Sequence, residues 1–120
     1  MNDGTQDRLK VSFPASPNFT RIGQVAIQGL AMRLNLEMTD LDRLCTAVEE
    51  TVHLLQGEGR ININIRWAPH TLVVTVANPD EEIPEESKAV VASRLLGYVD
   101  DVRMGRTGVD LTLADGPMNG

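Results

Sequence analysis

The stretch Arg60-Ile61-Asn62-Ile63-Asn64-Ile65-Arg66-Trp67 alternates strictly between polar and apolar residues. Successive side chains of an extended chain point to opposite faces, so Ile61, Ile63 and Ile65 share one face, which we expect to be buried. Ala68-Pro69-His70 makes a short turn, and the apolar-rich segment 71–77 continues as a second strand. The sequence therefore predicts an antiparallel hairpin over residues 60–77.

Two further segments on either side of this hairpin also have strand character. Residues 9–13 alternate between apolar and polar residues up to Pro14, where the pattern stops. Near the other end of the chain, residues 98–104 and 108–113 predict a final hairpin that turns at Gly105-Arg106-Thr107.

Three helices are predicted between these strands. The first begins after Asn18 or Thr20 as its N-cap, and its apolar positions recur at helical spacing at Ile22, Val25, Ala26, Leu30 and Leu34. The second is capped by Thr39 or Asp40, carries an apolar stripe over residues 41–55 and stops at Gly57 and Gly59. The third covers residues 85–96.

Together these elements predict an α+β two-layer sandwich, in which a mainly antiparallel sheet of four or five strands carries three helices on one face. At 120 residues the chain has the length of one domain. We expect residues 8–114 to form that domain, with a flexible N-terminus at residues 1–7 and a flexible tail at residues 115–120.

Composition narrows the function classes. The net charge of −6 argues against a nucleic-acid-binding surface, which requires clustered Lys and Arg. The single cysteine, Cys45, allows no internal disulfide and fits a reducing compartment; it lies on the apolar stripe and is expected to pack as a small core residue. No apolar run is long enough to span a bilayer, so the sequence predicts a cytoplasmic protein without membrane contact.

The order of three segments carries a resemblance to a known family. Val11-Ser12-Phe13-Pro14-Ala15-Ser16-Pro17, Arg21-Ile22-Gly23-Gln24-Val25 and Asp42-Arg43-Leu44-Cys45-Thr46-Ala47-Val48-Glu49-Glu50 resemble the anti-sigma-factor serine kinases of bacteria, the RsbW/SpoIIAB-like family. These kinases belong to the histidine-kinase-like ATPases with the Bergerat fold. The resemblance places Glu50 at the catalytic carboxylate and Leu54 at the metal-binding asparagine.

The resemblance also implies a nucleotide site that is degenerate in this chain. Leu54 is a hydrocarbon and cannot ligate magnesium, which prefers oxygen ligands. Asn78 lies where the family has the adenine-binding aspartate, although its carbonyl could still face adenine, and Asp80 and Glu82 replace glycines. Residues 85–91 replace the phosphate-binding glycine turn, and the lid is shortened. We therefore expect no metal, no cofactor and no ATP binding.

The functional hypothesis that follows is a non-catalytic, anti-sigma-factor-like regulator that binds a sigma factor, its antagonist or a kinase paralogue as a homodimer or heterodimer. In the family the first strand and first helix are associated with dimerisation, which predicts an interface at Phe13, Ile22, Val25, Ile27 and Leu30. One alternative is an active Mg-ATP-dependent serine kinase with Glu50 as general base and Asn78 at adenine. The other is a small-molecule sensor that reuses the vacated cleft. Trp67, the sole tryptophan, either covers the core edge or anchors a partner.

Overall fold

The computed structural model describes residues 7–34 and 36–114. Within them the chain forms five strands, three α-helices and a short 3-10 turn at Pro17–Phe19. The elements, in chain order, are β1 (Asp7–Pro14), α1 (Arg21–Leu34), α2 (Met38–Leu54), β2 (Arg60–Ala68), β3 (Thr71–Ala77), α3 (Glu85–Leu95), β4 (Asp101–Met104) and β5 (Gly108–Ala114). Apart from Asp7, the predicted flexible N-terminus and the predicted tail lie outside the described residues.

The strands form one antiparallel sheet in the order β1-β2-β3-β5-β4. The hairpin of β2 and β3 is confirmed, with Ile65 opposite Val74, and β4 and β5 form the second predicted hairpin. β1 pairs with β2 along all of its residues and lies at one edge of the sheet. Pro14 is its last residue, a position that an edge strand tolerates because proline donates no backbone hydrogen bond. The predicted α+β architecture is confirmed.

Every second residue of the central strands is buried beneath the helices. Ile61, Ile63 and Ile65 are at most 1 % exposed, and the alternating positions of β3 and β5 are buried in the same way. Helix α1 approaches the sheet at Gly23, where an added Cβ would lie 2.9 Å from Ile63 Cδ1. The core therefore lies between β2, β3 and β5 on one side and the packed pair of α1 and α2 on the other.

Helix α1 begins where the sequence predicts it, directly after Thr20, whereas the beginning of α2 differs from the prediction. Thr20 immediately precedes α1, and its hydroxyl donates to the Pro17 carbonyl at 3.2 Å. Helix α2 begins earlier than predicted, at Met38, and Glu37 occupies the N-cap position without a capping side-chain hydrogen bond. Asp40 is therefore inside the first turn, where its negative charge suits the helix dipole, and it accepts from Arg43 at 2.7 Å.

Candidate functional site

The site that the resemblance implies lies where the end of α2, residues 55–59 and residues 78–84 meet. Asn78, directly after β3, is fully buried at this junction. Its side-chain Nδ2 donates to the carbonyls of Leu55 at 2.9 Å and Glu58 at 2.8 Å, and its Oδ1 accepts from the Asp80 N–H at 3.0 Å. Both amide protons and the carbonyl are therefore engaged inside the protein, and the side chain has no exposed surface to offer to adenine.

The acidic segment that follows Asn78 closes over the turn after α2. The Glu81 carboxylate accepts from the Glu58 N–H at 2.7 Å, and the carboxylates of Asp80 and Glu81 lie against Gly59 and Gly57. Both glycines have positive φ, 75° at Gly59 and 148° at Gly57, and an added Cβ at either would overlap a carboxylate. The space left by these two glycines is therefore filled by acidic side chains of the same chain.

The same segment is also fixed to the turn between β4 and β5. Glu82 pairs with Arg106, with Oε2 2.7 Å from Nε, and the Ile83 N–H donates to the Arg106 carbonyl at 2.8 Å. The Asn78 N–H donates to the Thr107 carbonyl at 2.9 Å. Residues 78–84 are thus bonded on two sides, which opposes the opening that a lid over a nucleotide requires.

Glu50, the predicted position of the catalytic carboxylate, is held by the segment that contains α3. Its Oε1 lies 2.9 Å from Arg94 Nε, and its Oε2 accepts from the Tyr98 hydroxyl at 3.1 Å. Each carboxylate oxygen has one partner from the segment 94–98. Glu50 therefore links α2 to α3, while its neighbour Glu49 is exposed.

Leu54 is the last residue of α2 and packs, partly buried, against the hydrophobic core. The structure brings its end of the helix next to Asn78 and Asp80, as the resemblance implies, because Leu55 accepts from Asn78. The Leu54 side chain has no oxygen atom that could replace the metal-binding oxygen of the asparagine in the kinases. Nearby, the Nε2 atom of Gln56 is buried without a hydrogen-bond partner.

The sequence does not predict the contacts of Glu50 with Arg94 and Tyr98, nor the contact of Glu81 with Gly57 and of Asp80 with Gly59. Both glycines had been interpreted only as a helix stop, although a Gly-x-Gly spacing after a helix also signals positive φ. Tyr98 lies 48 residues from Glu50, and no local pattern connects them.

The remaining polar candidates form no site. Across residues 7–34 and 36–114, no group of three His, Cys, Asp or Glu side chains is placed to hold a metal ion. Cys45 is half-buried against the core, and burial raises the pKa of its thiol, with smaller contributions from Asp42 and Glu49. The thiol is therefore protonated at neutral pH and a weak nucleophile.

The predicted interface residues separate into two groups. Phe13, Ile27 and Leu30 are at most 3 % exposed and belong to the core of the protomer, so they offer a partner almost no surface. They are buried because α1 packs against α2 and β1 on this side. Ile22 and Val25 are exposed on α1, Val25 by 65 %. The surface available to a partner is thus the outer side of α1 beside the edge strand β1.

No helix in the described part of the chain is long and apolar enough to cross a membrane. No family model and no curated protein matches the sequence. Among solved structures, the chain is similar to the RsbU and RsbW domains of Rv1364c from Mycobacterium tuberculosis, with a TM-score of 0.73 and 14 % sequence identity. The match covers 90 % of this chain and 32 % of that chain. At this identity the likeness establishes the fold, which is consistent with that of the histidine-kinase-like ATPases.

Proposed function

We propose that this protein is a non-catalytic, anti-sigma-factor-like regulator that acts by binding another protein in a bacterial partner-switching system. The similarity of the fold to a structure containing an RsbW domain supports the partner-switching context. The sequence resemblance over residues 11–50 points to the same class of protein.

The observation that carries the non-catalytic part is the closed hydrogen-bond network of Asn78. In the family that the chain resembles, this position faces adenine. Here the side chain bonds Leu55, Glu58 and the Asp80 backbone, and the carboxylates of Asp80 and Glu81 fill the adjacent glycine turn. A polyphosphate placed beside those carboxylates would be repelled by their negative charge.

The active-kinase alternative requires several of these contacts to break. Asn78 would have to give up its bonds to Leu55 and Glu58 in order to face adenine, and another group would have to supply the oxygen ligand that Leu54 lacks. The sensor alternative needs a vacated cleft, whereas Leu54 packs on the core and acidic side chains occupy the glycine turn. Neither alternative is favoured by a contact in the structure.

Protein binding is assigned to the outer side of α1 and the free edge of β1. Exposed Ile22 and Val25 provide apolar contact area, and an edge strand presents unpaired backbone N–H and C=O groups to a partner. The partner is a sigma factor, its antagonist or a kinase-fold paralogue.

Binding of purified sigma factors, antagonists and kinase-fold proteins from the same genome, measured by biolayer interferometry with and without Mg-ATP, tests this function. We expect one of them to bind with a Kd of about 1 μM or tighter, unchanged by nucleotide.

Val25→Asp should weaken binding by about tenfold or more, because a charge is introduced into an apolar contact. Val90→Asp, the same change at an exposed valine on α3, is the matched control. Binding that requires Mg-ATP, or none to any candidate, contradicts the proposal.

A further inference from the structure

Positive charge is segregated in this acidic protein. Six of the eleven Lys and Arg residues lie in segments 8–36 and 59–79, which contain no Asp or Glu. These segments include β1 apart from its first residue, Asp7, and all of α1, β2 and β3. One half of the fold is thus cationic although the net charge of the chain is −6.

The cations of this half have no acidic partner among the residues that the structure describes. Each of the five Lys and Arg side chains outside the two segments forms an ion pair with a described acidic residue; these are Arg43, Lys88, Arg94, Arg103 and Arg106. In the same described ranges, Arg8, Lys10, Arg33 and Arg66 form no such pair. Arg60 donates to Ser12, a neutral side chain, at 3.0 Å.

Two of these unpaired cations face each other across the edge of the sheet. Arg8 and Arg66 are direct cross-strand neighbours of β1 and β2, an arrangement that is destabilising for like charges. Arg66 Nε is buried and has no hydrogen-bond partner. Lys10 lies two residues along β1 and therefore on the same, helix-free face. This local conflict indicates an anionic partner.

Beside these cations, a cleft of about 440 Å³ opens between β1 and α1. Arg33 of α1 lines it together with Leu9, Val25 and Trp67, and Arg8 borders it at the edge strand, with its side chain on the other face of the sheet. Gly29 also lines it, and an added Cβ there would meet no atom within 4 Å. A ligand with both negative charge and apolar groups therefore complements this β1–α1 cleft.

The sequence of β1 determines how the charged and the apolar groups of such a ligand must be spaced. Along β1, the exposed cations Arg8 and Lys10 alternate with Leu9 and Val11, which pack against the core beneath the helices. A strand added to this edge also alternates with a period of two residues. One of its faces would meet the cations, and the other would meet Leu9 and the exposed Val25 of α1.

We propose that the free edge of β1 binds an extended segment of a different protein in which acidic and apolar residues alternate. This proposal rests on the proposed function and specifies the chemistry of its partner. A two-fold pairing of β1 with a second copy would set Arg8 and Lys10 of both copies side by side, which disfavours a symmetric homodimer through this edge. The partner is therefore a heterologous chain.

Trp67 provides a direct readout because it is the sole tryptophan and lines the cleft. The probe is a synthetic peptide of about eight residues in which Glu or Asp alternates with Leu or Val. We expect a saturable change in the Trp67 fluorescence of the full chain. The Kd should rise by about tenfold or more between low and high salt, since the contacts of Arg8 and Lys10 are exposed and screened.

Substitutions test separately whether peptide binding depends on the positive charges and on the free space in the cleft, without a loss of folding stability. Arg8→Glu and Arg33→Glu should each weaken peptide binding by about tenfold or more, whereas Arg103→Glu, the same change on the opposite edge strand β4, should leave the Kd within about twofold. Gly29→Leu places a good helix former in open space, so thermal unfolding should not move to lower temperature. Its side chain fills the cleft, and binding should be lost.

Three outcomes would overturn the proposal: no fluorescence change at millimolar peptide, equal binding of a peptide with Lys in place of the acids, or equal binding of octanoate, which would identify a site for small anionic amphiphiles. Sedimentation showing a homodimer that Arg8→Glu abolishes would also overturn it.

If the peptide fails while a partner protein still binds through Val25, only the strand proposal falls. If the peptide binds and no candidate partner does, the proposed function falls instead.

Discussion

Asn78→Asp is expected to lower the free energy of unfolding by about 3–5 kcal/mol at neutral pH, because it places an uncompensated charge in the core. The Nδ2 atom that donates to the Leu55 and Glu58 carbonyls would become an oxygen facing two oxygens. The carboxylates of Asp80 and Glu81 lie in the adjoining segment and add repulsion. The substitution restores the residue type of the ATP-binding family, yet in this chain it should disrupt the fold rather than restore a site.

The pH dependence of this variant identifies the cause. Burial and the facing carbonyls raise the pKa of the introduced carboxyl in the folded state above its unfolded value of about 3.9. The folded variant then binds more protons than the unfolded chain, so the charge-dependent part of its penalty is full above the raised pKa and is lost as pH falls towards the unfolded value. A smaller loss stays at low pH, because a protonated carboxyl has one O–H donor for the two carbonyls that the amide satisfies. Urea titrations across this range measure the difference from wild type. The buried-charge account would be contradicted if the difference in unfolding free energy from wild type did not change with pH. It would also be contradicted if Asn78→Asp lost no more stability at neutral pH than Asn78→Ala.

Ile63→Ala is expected to cost about 2–5 kcal/mol of unfolding free energy, the range for truncating a fully buried aliphatic side chain. Ile63 is 1 % exposed in β2, and its Cδ1 lies directly beneath Gly23 of α1. The cavity would open where α1, α2 and the sheet meet, and a backbone already in close contact can collapse only partly into it. Urea denaturation monitored by circular dichroism gives the change.

The matched control is Asn62→Ala, one residue away on the opposite, exposed face of the same strand. It should change stability by no more than about 0.5 kcal/mol. Similar losses in both variants would mean that strand propensity, rather than burial beneath the helices, decides the effect.

The sheet could be predicted from sequence because its signal is local. The alternation over residues 60–67, with a short turn and a second apolar strand, leaves the pairing of β2 with β3 as the simplest arrangement. The first residue of α2 was harder to predict from the sequence. Thr39 and Asp40 are good capping residues, but α2 begins at Met38, which is exposed, and Glu37 occupies the N-cap position without a capping side-chain bond.

The division of α1 into core and surface required tertiary information. Ile22, Val25, Ile27 and Leu30 are all apolar, and the sequence does not show where α2 and β1 cover the helix. The structure buries Ile27 and Leu30 and leaves Ile22 and Val25 exposed. Periodicity predicts an apolar face, whereas its partition between core and interface depends on how the neighbouring elements pack.

For the candidate site too, the sequence indicated the residues but not their tertiary contacts. The resemblance located Glu50, Leu54 and Asn78, and the structure does bring the end of α2 to the segment after β3. The partners that occupy these residues come from distant parts of the chain, such as Arg94 and Tyr98 for Glu50. No spacing argument reaches contacts of that kind, so the closure of the site was visible only in three dimensions.

The central proposal is that this protein functions without nucleotide, and isothermal titration calorimetry with Mg-ATP tests it most directly. We predict no heat beyond dilution for the wild-type protein at nucleotide concentrations of about 1 mM, and none for Leu54→Asn, because the acidic segment 80–82 and the internal bonds of Asn78 remain. A saturable isotherm of the wild-type protein with a micromolar Kd would contradict the account.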